Sequence, residues 1–162
     1  MKQIAPCLWF DSQAEEAARF YCSVFKKSKI VNISRYGNVG QEITGKKPGT
    51  VLTVDFKLGE QQFTALNGGP QFRFSEAVSL QVFCATQKEI DYYWEKLGAG
   101  GDPEAQQCGW LKDRYGLSWQ IVPERMIKML KDPKSKAYER VFSALLAMKK
   151  IDIARLKKAY AG

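Results

Sequence analysis

The chain has 162 residues, 45% of them hydrophobic and 26% charged, with a formal net charge of +8 and four cysteines. That size supports one domain with a sizeable core, and no run approaches the roughly 18 apolar residues of a membrane span. Histidine is absent, which removes the commonest metal ligand, the usual general base and the Ser-His or Cys-His nucleophile pairs.

Any catalysis must therefore rest on carboxylates, tyrosines, thiols, lysines or a bound cofactor. The opening Met1-Lys2-Gln3-Ile4-Ala5-Pro6 lacks the pattern of a signal peptide, so a cytoplasmic location is expected. Cys7, Cys22, Cys84 and Cys108 show no Cys-x-x-Cys spacing and read as reduced, part-buried thiols. The charge is uneven. Residues 1–123 hold 14 Lys and Arg against 13 Asp and Glu, whereas residues 124–162 hold 11 against 4.

In chain order, Ile4–Phe10 is an apolar run that reads as a strand. Ser12-Gln13-Ala14-Glu15 is a capping-box pattern. Ala14, Ala17, Ala18, Tyr21, Val24 and Phe25 follow at helical spacing. Strands are predicted at Ile30–Tyr36, Thr50–Phe56 and Gln62–Leu66, with a turn-rich stretch from Gly37 to Gly49 and a stop at Asn67-Gly68-Gly69-Pro70.

The order then recurs. Ala77–Ala85 reads as a strand and Thr86-Gln87-Lys88-Glu89 as a second capping box. Ile90, Tyr93, Trp94 and Leu97 mark a helical face, and short strands are predicted near Glu104–Cys108, Trp110–Asp113 and Leu117–Val122. An offset of 74 residues carries Ser12, Gln13 and Glu15 onto Thr86, Gln87 and Glu89, while an offset of 53 carries Asn67 and Pro70 onto Gln120 and Pro123. Such self-similarity marks an internal repeat. Residues 1–75 and 76–123 are thus expected to be paired β-α-β-β-β modules related by an approximate two-fold.

The tail, 124–162, reads as a helical extension of the same domain. Arg125–Lys131 forms one short helix, and Asp132-Pro133 starts a second. Tyr138, Val141, Phe142, Leu145 and Met148 give that helix its apolar face. Asp152 caps a third, with Ile151 and Leu156 placed as a hydrophobic staple.

Leu8-Trp9-Phe10-Asp11, Ala14–Tyr21, Ala65–Pro70, Tyr92–Leu97, Cys108–Asp113 and Gly116–Pro123, with the ending Met148–Ile153, resemble the PhnB-like branch of the vicinal oxygen chelate superfamily. That superfamily also holds glyoxalases, bleomycin-resistance proteins and extradiol dioxygenases. The resemblance implies an α+β fold, in which the two modules form a curled mixed sheet around a cavity. It also implies metal ligands on the first and last strands of each module.

Alternation then assigns Ile4, Pro6, Leu8, Val78, Leu80 and Val82 to the helix-packed face. Ala5, Cys7, Trp9, Ser79, Gln81 and Phe83 fall on the open face, with Asn67 and Gln120 as the matched pair on the closing strands. Amides, a hydroxyl and one thiol make a poor set for zinc or iron, so no metal and no cofactor are expected. The expected ligand-binding residues are Trp9, Asn67, Ser79, Gln81, Trp110 and Gln120.

Some members of the branch are labelled 3-demethylubiquinone-9 3-methyltransferase. A nucleotide-binding methyltransferase needs a glycine-rich turn from strand to helix. Here Gly98-Ala99-Gly100-Gly101 follows a helix, and Gly68-Gly69 leads into none. The reading is therefore a small-molecule binder that pairs as a homodimer. The alternative is an enzyme of the superfamily, of lyase, isomerase or dioxygenase type or the labelled methyltransferase, using an atypical site or acid–base groups such as Tyr36 or Asp113. The tail's Lys and Arg fall between apolar positions of amphipathic helices, as a solvated face places them. Neither nucleic acid nor membrane is an expected partner.

Overall fold

The computed structural model describes residues 4–162; the reading of Met1–Gln3 as part of no leader lies outside the described residues. The fold is mixed α+β, in two compact units divided between Arg73 and Phe74. In the first unit, β1 (Cys7–Phe10), α1 (Ala14–Val24), β2 (Lys29–Arg35), the one-turn α2 (Gln41–Thr44), β3 (Val51–Leu58) and β4 (Gln61–Asn67) follow in order. The sheet order is β1-β4-β3-β2, with β1 parallel to β4 and the other pairs antiparallel. This is the predicted β-α-β-β-β sequence.

One face of that sheet is packed under α1. Leu8, Phe10, Val54, Phe56, Phe63 and Ala65 alternate inward to meet Ala14, Ala17, Ala18, Tyr21 and Val24. Phe56 stacks between Tyr21 and Phe63, with ring centroids 6.2 and 5.3 Å away.

The second unit contains β5 (Ser79–Cys84), α3 (Gln87–Gly98), a 3-10 turn at Pro103–Ala105, β6 (Trp110–Lys112) and β7 (Ser118–Pro123). Its sheet order is β5-β7-β6, with β5 parallel to β7 and β6 antiparallel to it. Neither sheet closes into a barrel. This module has one strand fewer than expected. The stretch Glu104–Cys108 is no strand, because Asp102 caps the turn that Pro103 opens and Cys108 takes a φ of 52°. Only the isolated bridge Gln107–Trp110 remains.

The two helix starts are built differently. Thr86 accepts from the Glu89 N–H while Glu89 reaches back to the Thr86 N–H, a complete capping box. At α1 the predicted box is absent: the helix begins after Gln13, whose side chain makes no cap. The first N–H of α1, that of Ala14, instead donates to Asn67 Oδ1 at 2.8 Å. Thr86→Ala is accordingly expected to cost about 1 kcal/mol in denaturant unfolding, and Ser12→Ala within error of nothing. Equal costs would refute this assignment.

After Pro123 come α4 (Glu124–Met129), α5 (Lys136–Leu146) and α6 (Ile153–Ala161). The second of these starts later than Asp132-Pro133 suggested, because Ser135 supplies the cap by accepting from the Tyr138 N–H. Asp132 closes a turn on the Lys134 N–H instead. Asp152 caps α6 as predicted. Val141, Leu145 and Met148 bury against Ile151 and Leu156, while Phe142 remains exposed. The Cys108 and Gly109 N–H groups donate to the carbonyls of Met148 and Lys149, both at 2.8 Å. Apart from Phe142, the apolar stripe of the tail is thus packed within its own unit.

Candidate ligand-binding site

Each sheet has a face turned away from its helix, and strand alternation decides what lies there. In the second unit the ladder sets out three rows on that face: Ser79, Ser118 and Lys112; Gln81, Gln120 and Trp110; and Phe83 beside Val122. Gln120 Nε2 donates to Ser79 Oγ at 2.8 Å, and Gln81 Nε2 donates to Gln120 Oε1 at 3.3 Å. Phe83 is 53% exposed at the edge of this network. Four of the predicted residues, Ser79, Gln81, Trp110 and Gln120, therefore share one face.

In the first unit the open face has a row running straight across the sheet: Cys7, Thr64, Asp55 and Asn32. Thr64 Oγ1 donates to Asp55 Oδ1 at 2.7 Å, and Ser34 and Thr53 share a hydroxyl hydrogen bond at 2.5 Å. Partial burial, and then the Asp55 carboxylate, push the Cys7 thiol above its ordinary value. Asp55 and Thr64 were missed in the sequence. The signal was present, since Asp55 stands between Val54 and Phe56 in a strand and must face the other way.

Trp9 shares that open face, but its ring is held down. Its Nε1 donates to the Gly69 carbonyl at 2.8 Å, and it meets the Phe72 ring edge-on at 4.9 Å. A Cβ on Gly68 would come within 2.2 Å of the indole, which explains glycine there. Gly101 is explained likewise, since a Cβ would lie 1.9 Å from the Lys112 carbonyl oxygen. Both glycine clusters thus permit close packing of the chain on itself.

Asn67 lies elsewhere. It is 6% exposed and on the α1 side, with Oδ1 taken by Ala14 and Nδ2 donating to the Val51 carbonyl at 3.1 Å. The side chain borders a cleft of ≈ 350 Å³ with Ser12, Glu15, Lys46, Thr50 and Val51. Its expected match with Gln120 is also displaced. Phe10 pairs with Asn67 as Cys84 pairs with Pro123, so Asn67 corresponds to Pro123 and the counterpart of Gln120 is Thr64. The matched prolines at 70 and 123 misaligned the closing strands by three residues.

The acid–base groups named above are committed to structure. Tyr36 OH donates to the Asn67 carbonyl at 2.7 Å. Asp113 is buried; its Oδ1 accepts from the Tyr115 and Leu117 N–H groups, and its Oδ2 from Trp119 Nε1 at 2.8 Å. It fastens the turn into β7. Cys84 is buried on the helix side, and burial, then Glu89 and Glu124, push its thiol up to about 11, far from a thiolate at neutral pH.

The residues do not fit the divalent metal that the superfamily uses. Among the described residues no three of His, Cys, Asp or Glu gather. The first-and-last-strand positions hold Cys7 with Thr64 and Gln81 with Gln120, and Asp55 already accepts a hydrogen bond. A hard or borderline cation needs more anionic or imidazole ligands than these. Among the described residues, no helix is long and apolar enough to cross a membrane.

Repeated strand–helix–strand units with open mixed sheets and a first-to-last parallel pair define a glyoxalase-like α+β fold. Within it, the family model described as 3-demethylubiquinone-9 3-methyltransferase matches residues 2–122, and the chain belongs to that PhnB-like family. It is similar to a solved Bacillus cereus PhnB protein, titled a putative 3-demethylubiquinone-9 3-methyltransferase. Identity is 39%, with 75% of this chain and 99% of that one covered and a TM-score of 0.63. A Pseudomonas aeruginosa protein, PA1353, shares the fold at 18% identity, covering 76% and 98%, with a TM-score of 0.59. No curated protein matches the sequence.

Proposed function

We propose that this PhnB-like protein binds a small organic molecule on the open face of its second sheet, held by amides, hydroxyls and aromatic rings without a metal. The observation that supports this is the hydrogen-bonded network Ser79–Gln120–Gln81, which links two rows beside Trp110 and exposed Phe83. Polar groups fixed to one another next to aromatic surface suit orientation of an organic ligand. They offer no nucleophile or proton shuttle. The methyltransferase activity in the family's description finds no support in the glycines, which serve packing at Trp9 and Lys112.

The test is a fragment screen by ligand-observed NMR on the full chain, repeated on Gln120→Ala. Hits whose signal is lost in the variant support the reading, and a screen without them ends it. In parallel, stoichiometric zinc, nickel, manganese or iron should leave the melting temperature unchanged. A native-state ligand at roughly 100 times its Kd stabilises by about 2.7 kcal/mol, and a metal effect of that size would refute the metal-free part.

We propose also that the protein pairs as a homodimer. Ile127, Phe142 and Leu146 are exposed on α4 and α5, and such apolar residues favour a partner surface when they cluster. Light scattering at micromolar concentration should give about twice the monomer's 18.4 kDa, and the monomer mass would refute pairing.

A further inference from the structure

Ser118 has a side-chain oxygen that is buried and has no hydrogen-bond partner in the protein. Its residue is 1% exposed, and a buried hydroxyl without a partner is costly enough that native folds rarely keep one. It stands at the centre of the row Ser79–Ser118–Lys112 on the open face of the second sheet. Neighbouring strands lie about 4.8 Å apart, so the three side chains form a short line.

The direction of the hydrogen bonds is informative. Gln81 donates to Gln120, and Gln120 donates to Ser79. The chain of donors therefore ends on the Ser79 oxygen, whose own proton has no acceptor among the described residues. Ser79 and the buried Ser118 thus each keep an O–H without a protein acceptor, and Lys112 adds an ammonium. The row offers donors and calls for acceptor oxygens.

One acceptor is already there. Glu76, from the segment leading into β5, forms an ion pair with Lys112. Their hydrogen bond holds the Glu76 carboxyl below its ordinary value. Its side chain is 60% exposed against 23% for Lys112, so the glutamate is the outer and more replaceable member. An exposed pair of this kind contributes little to stability and is readily exchanged.

We infer that the row Ser79–Ser118–Lys112 is a carboxylate-binding subsite, that Glu76 occupies the lysine in place of a ligand carboxylate, and that the ligand is a small aromatic carboxylate. This rests on the binding function proposed above and specifies its ligand class. The ring has a place in the next row, where Trp110 stands beside Gln120 and Gln81. The two rows are about 7 Å apart along the strands, within reach of one aromatic ring. A planar two-oxygen group matches a line of donors better than a tetrahedral anion, which needs them on several sides.

Benzoate is the probe and benzyl alcohol, the same ring without the charge, is the control, titrated by NMR into the full chain. Benzoate binding should tighten about fivefold in Glu76→Gln, the factor set by releasing an exposed ion pair. It should weaken at least about tenfold in Lys112→Met and about fivefold in Ser118→Ala, as for a charged and a neutral hydrogen bond lost. Ser118→Ala should fold with an undiminished melting temperature, since the hydroxyl it removes has no protein partner. Benzyl alcohol should be indifferent to the first two substitutions. Benzoate that fails to bind, or binds equally to wild type, Glu76→Gln and Lys112→Met, overturns the inference. If other fragments then still depend on Gln120, the binding function stands and only the carboxylate subsite falls; if none does, both fall. Unchanged benzoate affinity in Ser118→Ala with a lowered melting temperature removes that hydroxyl from the subsite.

Discussion

Asn67→Ala should destabilise the protein by about 2–4 kcal/mol, the cost of leaving a buried donor and an acceptor without partners. Asn67 joins three elements: its Oδ1 caps α1 at Ala14, its Nδ2 holds the Val51 carbonyl of β3, and its own backbone closes β4. Ala14 is fully buried, so water has no ready access to the N–H that the substitution orphans. Asn67→Asp keeps the acceptor, and a carboxylate suits a helix N-terminus. It loses the donor, however, and sets a negative oxygen against the Val51 carbonyl, so an intermediate loss is expected. Urea midpoints for the two variants check this ordering. A midpoint for Asn67→Ala within about 0.5 kcal/mol of wild type, the scale of an ordinary surface change, would show that the amide does not fasten the helix.

The same residue shows how far the sequence could be read. Strand alternation correctly separated Leu8 from Trp9 and Leu80 from Gln81, because a sheet buried on one side leaves a period of two. The helix α3 was legible from Thr86 and Glu89, since a capping box is local and its partners are three residues apart. The cap of α1 was not legible, because its acceptor lies 53 residues away and Ser12 and Glu15 supply the same local pattern without forming the bond. Register across β4 and β7 was misread for a related reason. Proline positions were matched along the chain, whereas the ladder is set by which residues pair with β1 and β5.

The site divides along the same line. Ser79 and Gln81 were found because alternation places them, Gln120 through a repeat match that proved three residues out of register, and Trp110 because it is aromatic on a short strand. Asp55 was missed, and Lys112 was set aside as a residue of a solvated strand edge. Their roles depend on partners, Thr64 in one case and Glu76 in the other, which only the folded ladder brings together. Asp113 was read as a candidate acid because a carboxylate's chemistry is visible in sequence. Its commitment to two N–H groups and Trp119 is not.

Removal of the tail after Pro123 should cost the second unit at least about 4 kcal/mol, counting only two backbone hydrogen bonds at about 1 kcal/mol each and one buried isoleucine contact at about 2. The bonds are those from Cys108 and Gly109 to Met148 and Lys149. The contact is that of Ile151, whose side chain lies so close to Gly109 that a Cβ there would be 2.7 Å from Ile151 Cδ1. Ile151 also ties α3, because its carbonyl accepts from the Gln87 amide while Gln87 Oε1 accepts from the Ile153 N–H at 2.9 Å. The family model stops at residue 122, so each of these attachments joins a residue of the matched stretch to a tail residue beyond it. Ile151→Ala isolates the packing contribution and should cost about 2–5 kcal/mol with the tail still present. Hydrogen exchange separates the causes: the Cys108 and Gly109 amides should lose protection in the truncated chain, and much less in Ile151→Ala. A truncated protein with the full-length midpoint and protected Cys108 and Gly109 amides would mean that the sheet of the second unit holds without its tail.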